Sequence, residues 1–401
     1  MFGQHNYGDP QRGLGYEYAN FIPAFENLGY DVSFFESLNK SMYSDYVDMN
    51  CRLLKKVDEE KPDIIFFVLM TYEIWLETLE IIREGNAATL IHWATDDSWK
   101  YEQFSRFLAP MFDVHVTTYA SALKKAEQDG MHHVALSQWA ADSVQMKPPI
   151  AAKECCYDVS FVGSTYGNRK QWIDELKDAG ISVDAFGYGW PNGSVDDQEK
   201  NRIIRESRLS LNLADSGIVF ENGKASRSRQ IKARVFEVPG AGGVLMTENA
   251  DHLNEFYRLD EEIIIFENIE SLLEKIRFYL DNPDRRDALA QAGYERTQNE
   301  HCYEARFEPL FKQAFERRQT RQNKTTDIDF QQFEAVAVRH RLNFLLIILK
   351  YILLAPCVLI WGKQRGHRAA RRFLFECSWR FFGKKTYSVT NWAGRLFYKH
   401  S

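Results

Sequence analysis

The stretch Gln230 to Tyr257, QIKARVFEVPGAGGVLMTENADHLNEFY, reads as a basic helix, a tight glycine-rich turn and a short apolar strand that ends in a polar loop. Two readings of it are open. Lys232 and Arg234 offer cations for a phosphate and Glu237 a carboxylate for a ribose diol. Gly240, Gly242 and Gly243 would let backbone amides approach a ligand closely. A Pro-Gly-x-Gly-Gly turn is equally an ordinary helix stop. Its place in the chain favours the first reading.

Upstream, short apolar runs of the kind buried on both faces of a parallel sheet alternate with helical patterns. The spacing predicts strands at 31–35, 63–69, 88–94, 114–119 and 134–140. After a break at MKPPIAAKECC the cycle restarts, with strands at 158–164, 183–189, 209–214, 243–248 and 263–267. The expected fold is therefore α/β, with two Rossmann-like doubly wound domains and a C-terminal, mainly helical tail. The expected domains are residues 1–147, 148–318 and 319–401, with Pro148-Pro149 in the linker. The opening stretch is then the fourth strand of a second cycle, together with what flanks it.

In open α/β sheets ligands bind beyond the carboxyl ends of the strands, which singles out a few loops. Gly163, Ser164 and Gly167 precede a helix with Arg169 and Lys170 in its first turn, a place for a phosphate or a plain strand-to-helix turn. Gly187 lies near the end of the next expected strand, which is followed by Trp190, which either covers a base or packs, and Thr247 lies near the end of the strand at 243–248. In the first half, Arg12, Gly13 and Gly15 precede a helix near Tyr16. The strand expected before them is very short, with FGQHNY as its stub. Asp96 and Asp97 follow the strand that carries His92, where a carboxylate can meet an acceptor hydroxyl or take a proton. The alternatives are a helix cap for Asp97 or Ser98 and a core position for His92.

Composition narrows the function classes. The six cysteines show neither C-x-x-C nor zinc spacing, so reduced thiols, no disulfide and no structural metal are expected. The N-terminus lacks the pattern of a secretory signal, which suggests a cytoplasmic body. From Phe330 to Ser401 there are 13 Lys/Arg against 2 Asp/Glu, and the other 329 residues carry a net charge of −17. An acidic body argues against nucleic-acid binding. The basic tail suits an anionic surface.

Leu342 to Trp361, LNFLLIILKYILLAPCVLIW, holds one charge, Lys350, in 20 residues and would cover about 30 Å as a helix. Basic flanks on both sides, Lys350 and Pro356 favour a tail that enters one leaflet or lies in the interface over one that spans. A helical extension packed on the body is the further alternative.

Three segments taken in order, DVSFVGSTYGNRKQWIDELKDAGISVDAFGYGW, KARVFEVPGAGGVLMTE and IIIFENIESLLEKIRFYLDNPDRRDALAQAGYERTQNEHCYEARF, give the chain a family likeness. It resembles a GT-B glycosyltransferase of the CgeB-like, spore-maturation-protein-like branch of the glycosyltransferase family 1 and 4 superfamily, over roughly residues 5–318. The resemblance implies two domains facing a cleft, with a nucleotide-sugar donor on the second. Gly163, Ser164 and Arg169 would approach its diphosphate, Lys232 or Arg234 would neutralise the leaving phosphate, and Glu237 would hold the ribose. Gly187, Gly242, Gly243 and Thr247 would complete the donor loops. Asp96, Asp97 and His92 are the acceptor-side catalytic candidates, with Arg12, Gly13 and Gly15 in the acceptor loop. Where the superfamily places the first glutamate of its Glu-x7-Glu motif this chain has Arg229. The expected activity is sugar transfer to a surface polysaccharide or lipid-linked glycan at the cytoplasmic face of the inner membrane. It would proceed with retention, without a metal or cofactor. The alternative is a catalytically silent GT-B-fold binding or scaffold protein at the membrane.

Overall fold

The computed structural model describes residues 1–221, 224–321, 327–340, 344–391 and 396, so Leu342 and Asn343 of the apolar stretch, and Arg341 before it, lie outside the described residues. The chain groups into two compact units. One comprises Met1–Ala19, Val32–Ser137 and Pro309–Ser401; the other comprises Asn20–Asp31 and Gln138–Glu308.

The first unit carries a parallel sheet of β1 (Ile64–Phe67), β2 (Thr89–Ala94), β3 (Val114–Thr117) and β4 (Val134–Leu136), in that spatial order. All six residues of β2 are buried, as an inner strand covered on both faces requires. At the free edge of β1 the Val68 amide donates to the Met1 carbonyl (2.9 Å), and Phe2 bridges Glu36 in parallel. The N-terminal strand is thus the stub that the sequence suggested. The strand expected at 31–35 shrinks to that one bridge, because the stub offers it almost no ladder. Beneath the sheet, helix Tyr46–Glu60 buries Tyr46, Met49, Leu53, Leu54 and Val57 along one face.

The C-terminal tail is built into this unit rather than trailing from it. Helix Phe330–His340 buries Phe333 and Val336, and Tyr387 and Val389 join the same core. The Val389 amide donates to Glu77 (3.0 Å), and the Tyr387 hydroxyl donates to the Gln103 carbonyl. Between these two anchored stretches, Phe344–Tyr387 is long and apolar enough to cross a membrane by length and composition. It is not straight. Gly362 breaks the helix with φ 73° and ψ 174°, and the chain reverses there. A Cβ at Gly366 would lie 2.6 Å from the Cys357 carbonyl oxygen, a separation that a continuous helix would stretch to roughly 13 Å. Leu354, Ala370, Leu374 and Leu396 close the seam of the resulting hairpin.

The second unit holds β5 (Tyr157–Val162), β6 (Asp184–Phe186), β7 (Ser207–Asn212), β10 (Leu245–Glu248) and β11 (Ile264–Phe266), all parallel, in the order β11-β10-β7-β5-β6. The order reverses between β5 and β7. An antiparallel ribbon, β8 (Asp215–Glu221) with β9 (Lys224–Arg229), follows β7. It takes up the chain as far as Arg229, so the expected basic helix is only Arg234–Gly240. Arg286 is fully buried and donates to the carbonyls of Arg208 (2.8 Å), Ile150 (2.9 Å) and Ser207 (2.8 Å), fixing helix Pro283–Glu300 to the start of β7.

Candidate functional site

At the switch point between β5 and β7, the loop Gly163 to Asn168 leads into helix Arg169–Asp178, whose N-cap residue Asn168 makes no side-chain cap. The first amides of that helix carry the positive end of its dipole. Arg169 lies flat on the Tyr166 ring (3.9 Å to the centroid) and donates to the Ser164 carbonyl and the Tyr166 hydroxyl, both at 3.0 Å. Lys232 reaches the same hydroxyl at 2.7 Å. Two cations therefore meet at one hydroxyl beside a helix N-terminus, a setting suited to an anion.

Gly187 has φ 123°, and a Cβ there would come within 2.5 Å of the Gly163 carbonyl oxygen. The Trp190 indole donates to that same carbonyl (2.6 Å) and meets Phe161 edge-on. Gly163, Gly187 and Trp190 thus knit the ends of β5 and β6 together. For Gly187 and Trp190 the packing reading is the one observed.

Glu237 is buried, and its two oxygens are divided between Lys200 (2.8 Å) and Arg234 (3.1 Å). Burial alone would push this carboxyl up, but the two cations and their hydrogen bonds outweigh it and hold it down at about 2. Lys200, itself deeply enclosed, also pairs with Asp197 (2.8 Å). The cluster edges a shallow polar pocket within this unit, lined in part by Asn20, Asp142, Gln145 and Asn201. Each carboxylate oxygen retains a lone pair beyond its ion pair, so Glu237 still has capacity for a hydroxyl. The structure thereby splits the two cations of the opening stretch. Lys232 joins Arg169, and Arg234 is committed to Glu237.

The remaining donor candidates sit in close contact with neighbouring segments. A Cβ at Gly242 (φ 84°) would strike the Lys147 carbonyl at 2.7 Å, and one at Gly243 would meet Ile204 at 2.6 Å. Thr247 is buried, accepts from Asn212 (2.9 Å) and donates to the Glu248 carbonyl (3.1 Å). Arg229 ends β9 and pairs with buried Glu248 (3.3 Å), which also accepts the Ala214 amide (2.8 Å). At position 229 the chain thus places a cation, held by an acid from β10.

In the first unit, His92 and Asp97 belong to the interior. His92 is fully buried, with Nδ1 3.0 Å from Nδ1 of His115, while Nε2 accepts the Leu69 amide (3.3 Å). His115 Nε2 lies 3.4 Å from Asp97, which also accepts from Ser105. Leu69 can only donate and ionised Asp97 can only accept, so one tautomer set satisfies the chain: His92 donates from Nδ1 and His115 from Nε2. Burial holds the His92 imidazole well below its usual range. Asp97 is held low by His115, Ser105 and Thr117 against the opposing effect of its own burial. Neither residue faces solvent, because the strand ends use both to tie β1, β2 and β3 together. Asp96 is half-exposed and pairs with Lys100 (3.3 Å). Arg12 pairs with Asp9 (3.2 Å) in a loop closed by Asn6, which donates to the carbonyls of Arg12 and Leu14. Gly13 takes φ 75° in that loop, and a Cβ at Gly15 would lie 2.8 Å from the Gly3 carbonyl oxygen.

Sequence reading missed Tyr166, which holds Arg169 and Lys232, Lys200, which holds Glu237, and Glu248, which holds Arg229. Tyr166 lies three residues before Arg169; the other pairs join segments distant in sequence, which spacing does not announce.

Residues 169–312 match a family model described as glycosyl transferase-like. Over those residues the chain is similar to that family. Its fold is GT-B, and two solved structures share it. HepE of Anabaena, in complex with UDP and glucose, aligns with a TM-score of 0.53 at 10% identity over 78% of this chain and 98% of that one. A glycosyltransferase from Rickettsia africae aligns at 0.50 and 9% identity over 75% and 88%. Against TarM (TM-score 0.48, 10% identity, 67% of this chain) the chain spans 58% of that protein's length. No curated protein matches the sequence.

Proposed function

We propose that the protein transfers a sugar from a nucleoside diphosphate sugar to a membrane-proximal glycan, as a CgeB-like GT-B glycosyltransferase. The observation that supports this best is the pairing of Arg169 and Lys232 on the Tyr166 hydroxyl at the carboxyl end of β5. In the reaction the bond between the anomeric carbon and the β-phosphate oxygen breaks, the electron pair leaves with the diphosphate, and an acceptor hydroxyl oxygen forms the new bond as its proton passes to the departing diphosphate oxygen. Fixed cations and helix amides stabilise that leaving group, so the chemistry asks for no metal. Glu237, oriented by Lys200 and Arg234, would accept the ribose hydroxyls. Among the acceptor-side candidates Asp96 retains access to solvent, whereas His92 and Asp97 position the strand ends. Retention follows from the superfamily likeness alone.

A thermal-shift screen of nucleoside diphosphates tests the donor site, with uridine diphosphate first because HepE is seen with it. Arg169→Ala and Lys232→Ala should each weaken binding at least about tenfold, the loss of one charge-assisted contact. Unchanged affinity in both would refute the site. The second reading, a silent binding protein, is favoured by Arg229 held on Glu248 where a glutamate is expected. Nucleotide binding without donor hydrolysis or transfer would select it.

A further inference from the structure

The hairpin on either side of Gly362 has two unlike outer surfaces. Along its first arm, residues 344–361, Phe344, Leu345, Ile348, Tyr351, Ile352 and Leu359 are exposed, Leu359 by 86%. Lys350, the one charge in this arm, falls four residues after Leu346 and three before Leu353, on the half-buried inner face that packs against the return arm. The outward face of the arm is therefore uncharged over its whole length. The return arm, residues 363–382, is cationic on its outside, where Lys363, Arg365, Arg368 and Arg372 are exposed. A soluble monomer rarely leaves an apolar strip of this size bare.

We propose that this hairpin is a monotopic anchor that lies in one leaflet of an anionic bilayer, with the apolar arm sunk to the acyl boundary and the basic arm at the headgroups. This deepens the membrane-proximal reading above and is independent of glycosyl transfer. Two observations exclude a span. Phe333 and Val336 before the hairpin, and Tyr387 and Val389 after it, are buried in one core, so both feet stand on the same side. A single crossing is thereby ruled out. A double crossing would drag Lys363, Arg365, Arg368, Arg371 and Arg372 through hydrocarbon. The close approach at Gly366 keeps the arms side by side, giving an apolar strip flanked by a row of cations, as interfacial segments present. That row also decides the occupant. A two-fold pairing of two copies through this face would bring the arginines of both toward each other, whereas anionic headgroups neutralise them.

The full-length protein is mixed with sealed vesicles of neutral lipid, or of neutral lipid containing anionic phosphatidylglycerol, and sedimented. Binding is expected only with the anionic vesicles and is expected to weaken in high salt. The double variant Ile352→Glu/Leu359→Glu should lower partitioning at least about tenfold. Arg365→Glu/Arg368→Glu/Arg372→Glu should abolish the preference for anionic lipid. All five positions are exposed, and an unchanged unfolding midpoint would show that the fold is intact. On bound protein, Lys363 should react with a membrane-impermeant amine reagent, read by mass spectrometry; protection of Lys363 would mean that the turn has crossed, and would overturn the proposal. So would failure to bind any vesicle, and if the apolar variant then converts a dimer to a monomer, a second copy is the occupant. Nucleotide affinity measured in parallel keeps the two readings apart. Loss of vesicle binding leaves the donor site untouched, and unchanged nucleotide affinity in Arg169→Ala and Lys232→Ala would refute the donor site while leaving the anchor standing.

Discussion

Replacing Glu237 with glutamine keeps the shape of the side chain and removes the charge on which Lys200 and Arg234 depend. Folding lowers this carboxyl from an ordinary value of 4.5 to about 2, so ionisation favours the native state by roughly 3 kcal/mol, at about 1.4 kcal/mol per pH unit. The variant mimics the protonated group and should lose that amount at neutral pH, which is the scale of breaking a buried ion pair from one side. For a unit of this size the midpoint should fall by roughly 6–12 °C. The sign in pH is fixed by the depressed value: the contribution is complete above about pH 4.5 and drains away as pH falls toward 2. Calorimetric or fluorescence-detected unfolding of both proteins, run from pH 8 to pH 3, should show a gap that is constant down to about pH 5 and narrows below it. A loss under about 2 °C at pH 7.5, or a gap that persists unchanged at pH 3, would refute the claim that Glu237 is a buried anion balanced by two cations.

Other consequences are as direct. Gly187→Ala places a methyl against the Gly163 carbonyl at a positive φ, so it should destabilise by more than about 2 kcal/mol and lower nucleotide affinity together with the midpoint; a neutral substitution would mean that β5 and β6 can part freely. Arg286→Met should cost roughly 3–5 kcal/mol, because three carbonyls lose a buried donor at once, and urea unfolding would register it. His92 stays neutral when folded and takes a proton near pH 6.5 when unfolded, so stability should decline as pH falls below about 6.5, by at most about 1.4 kcal/mol per unit from this group. His92→Gln, which keeps an acceptor for the Leu69 amide, should flatten that part of the pH profile; an unchanged slope would place the titration elsewhere.

Strands buried on both faces announce themselves, and β2, β5, β7 and β10 fall where runs such as TLIHWA and DVSFV put them. The stub beside β1 was legible as FGQHNY, but the loss of the strand at 31–35 was not. A strand exists by virtue of its neighbour, and two residues of stub cannot support five. No element was expected over residues 215–229, where the ribbon β8–β9 forms. In the candidate site, Arg169, Lys232 and Glu237 were visible as residue types after strands. Their partners Tyr166 and Lys200 were not.

The sequence by itself determined the two doubly wound units, the Gly-rich turn after Glu237 and the gathering of positive charge in the tail. These are properties of local composition and period, which a chain cannot hide. Only the tertiary structure decided that Lys232 and Arg234 have different partners, that His92 and Asp97 are interior, and that Lys350 faces inward in a hairpin whose two ends return to one core. Each of these depends on which side of an element a residue faces and what lies across from it, and the pairing of elements distant in sequence settles that.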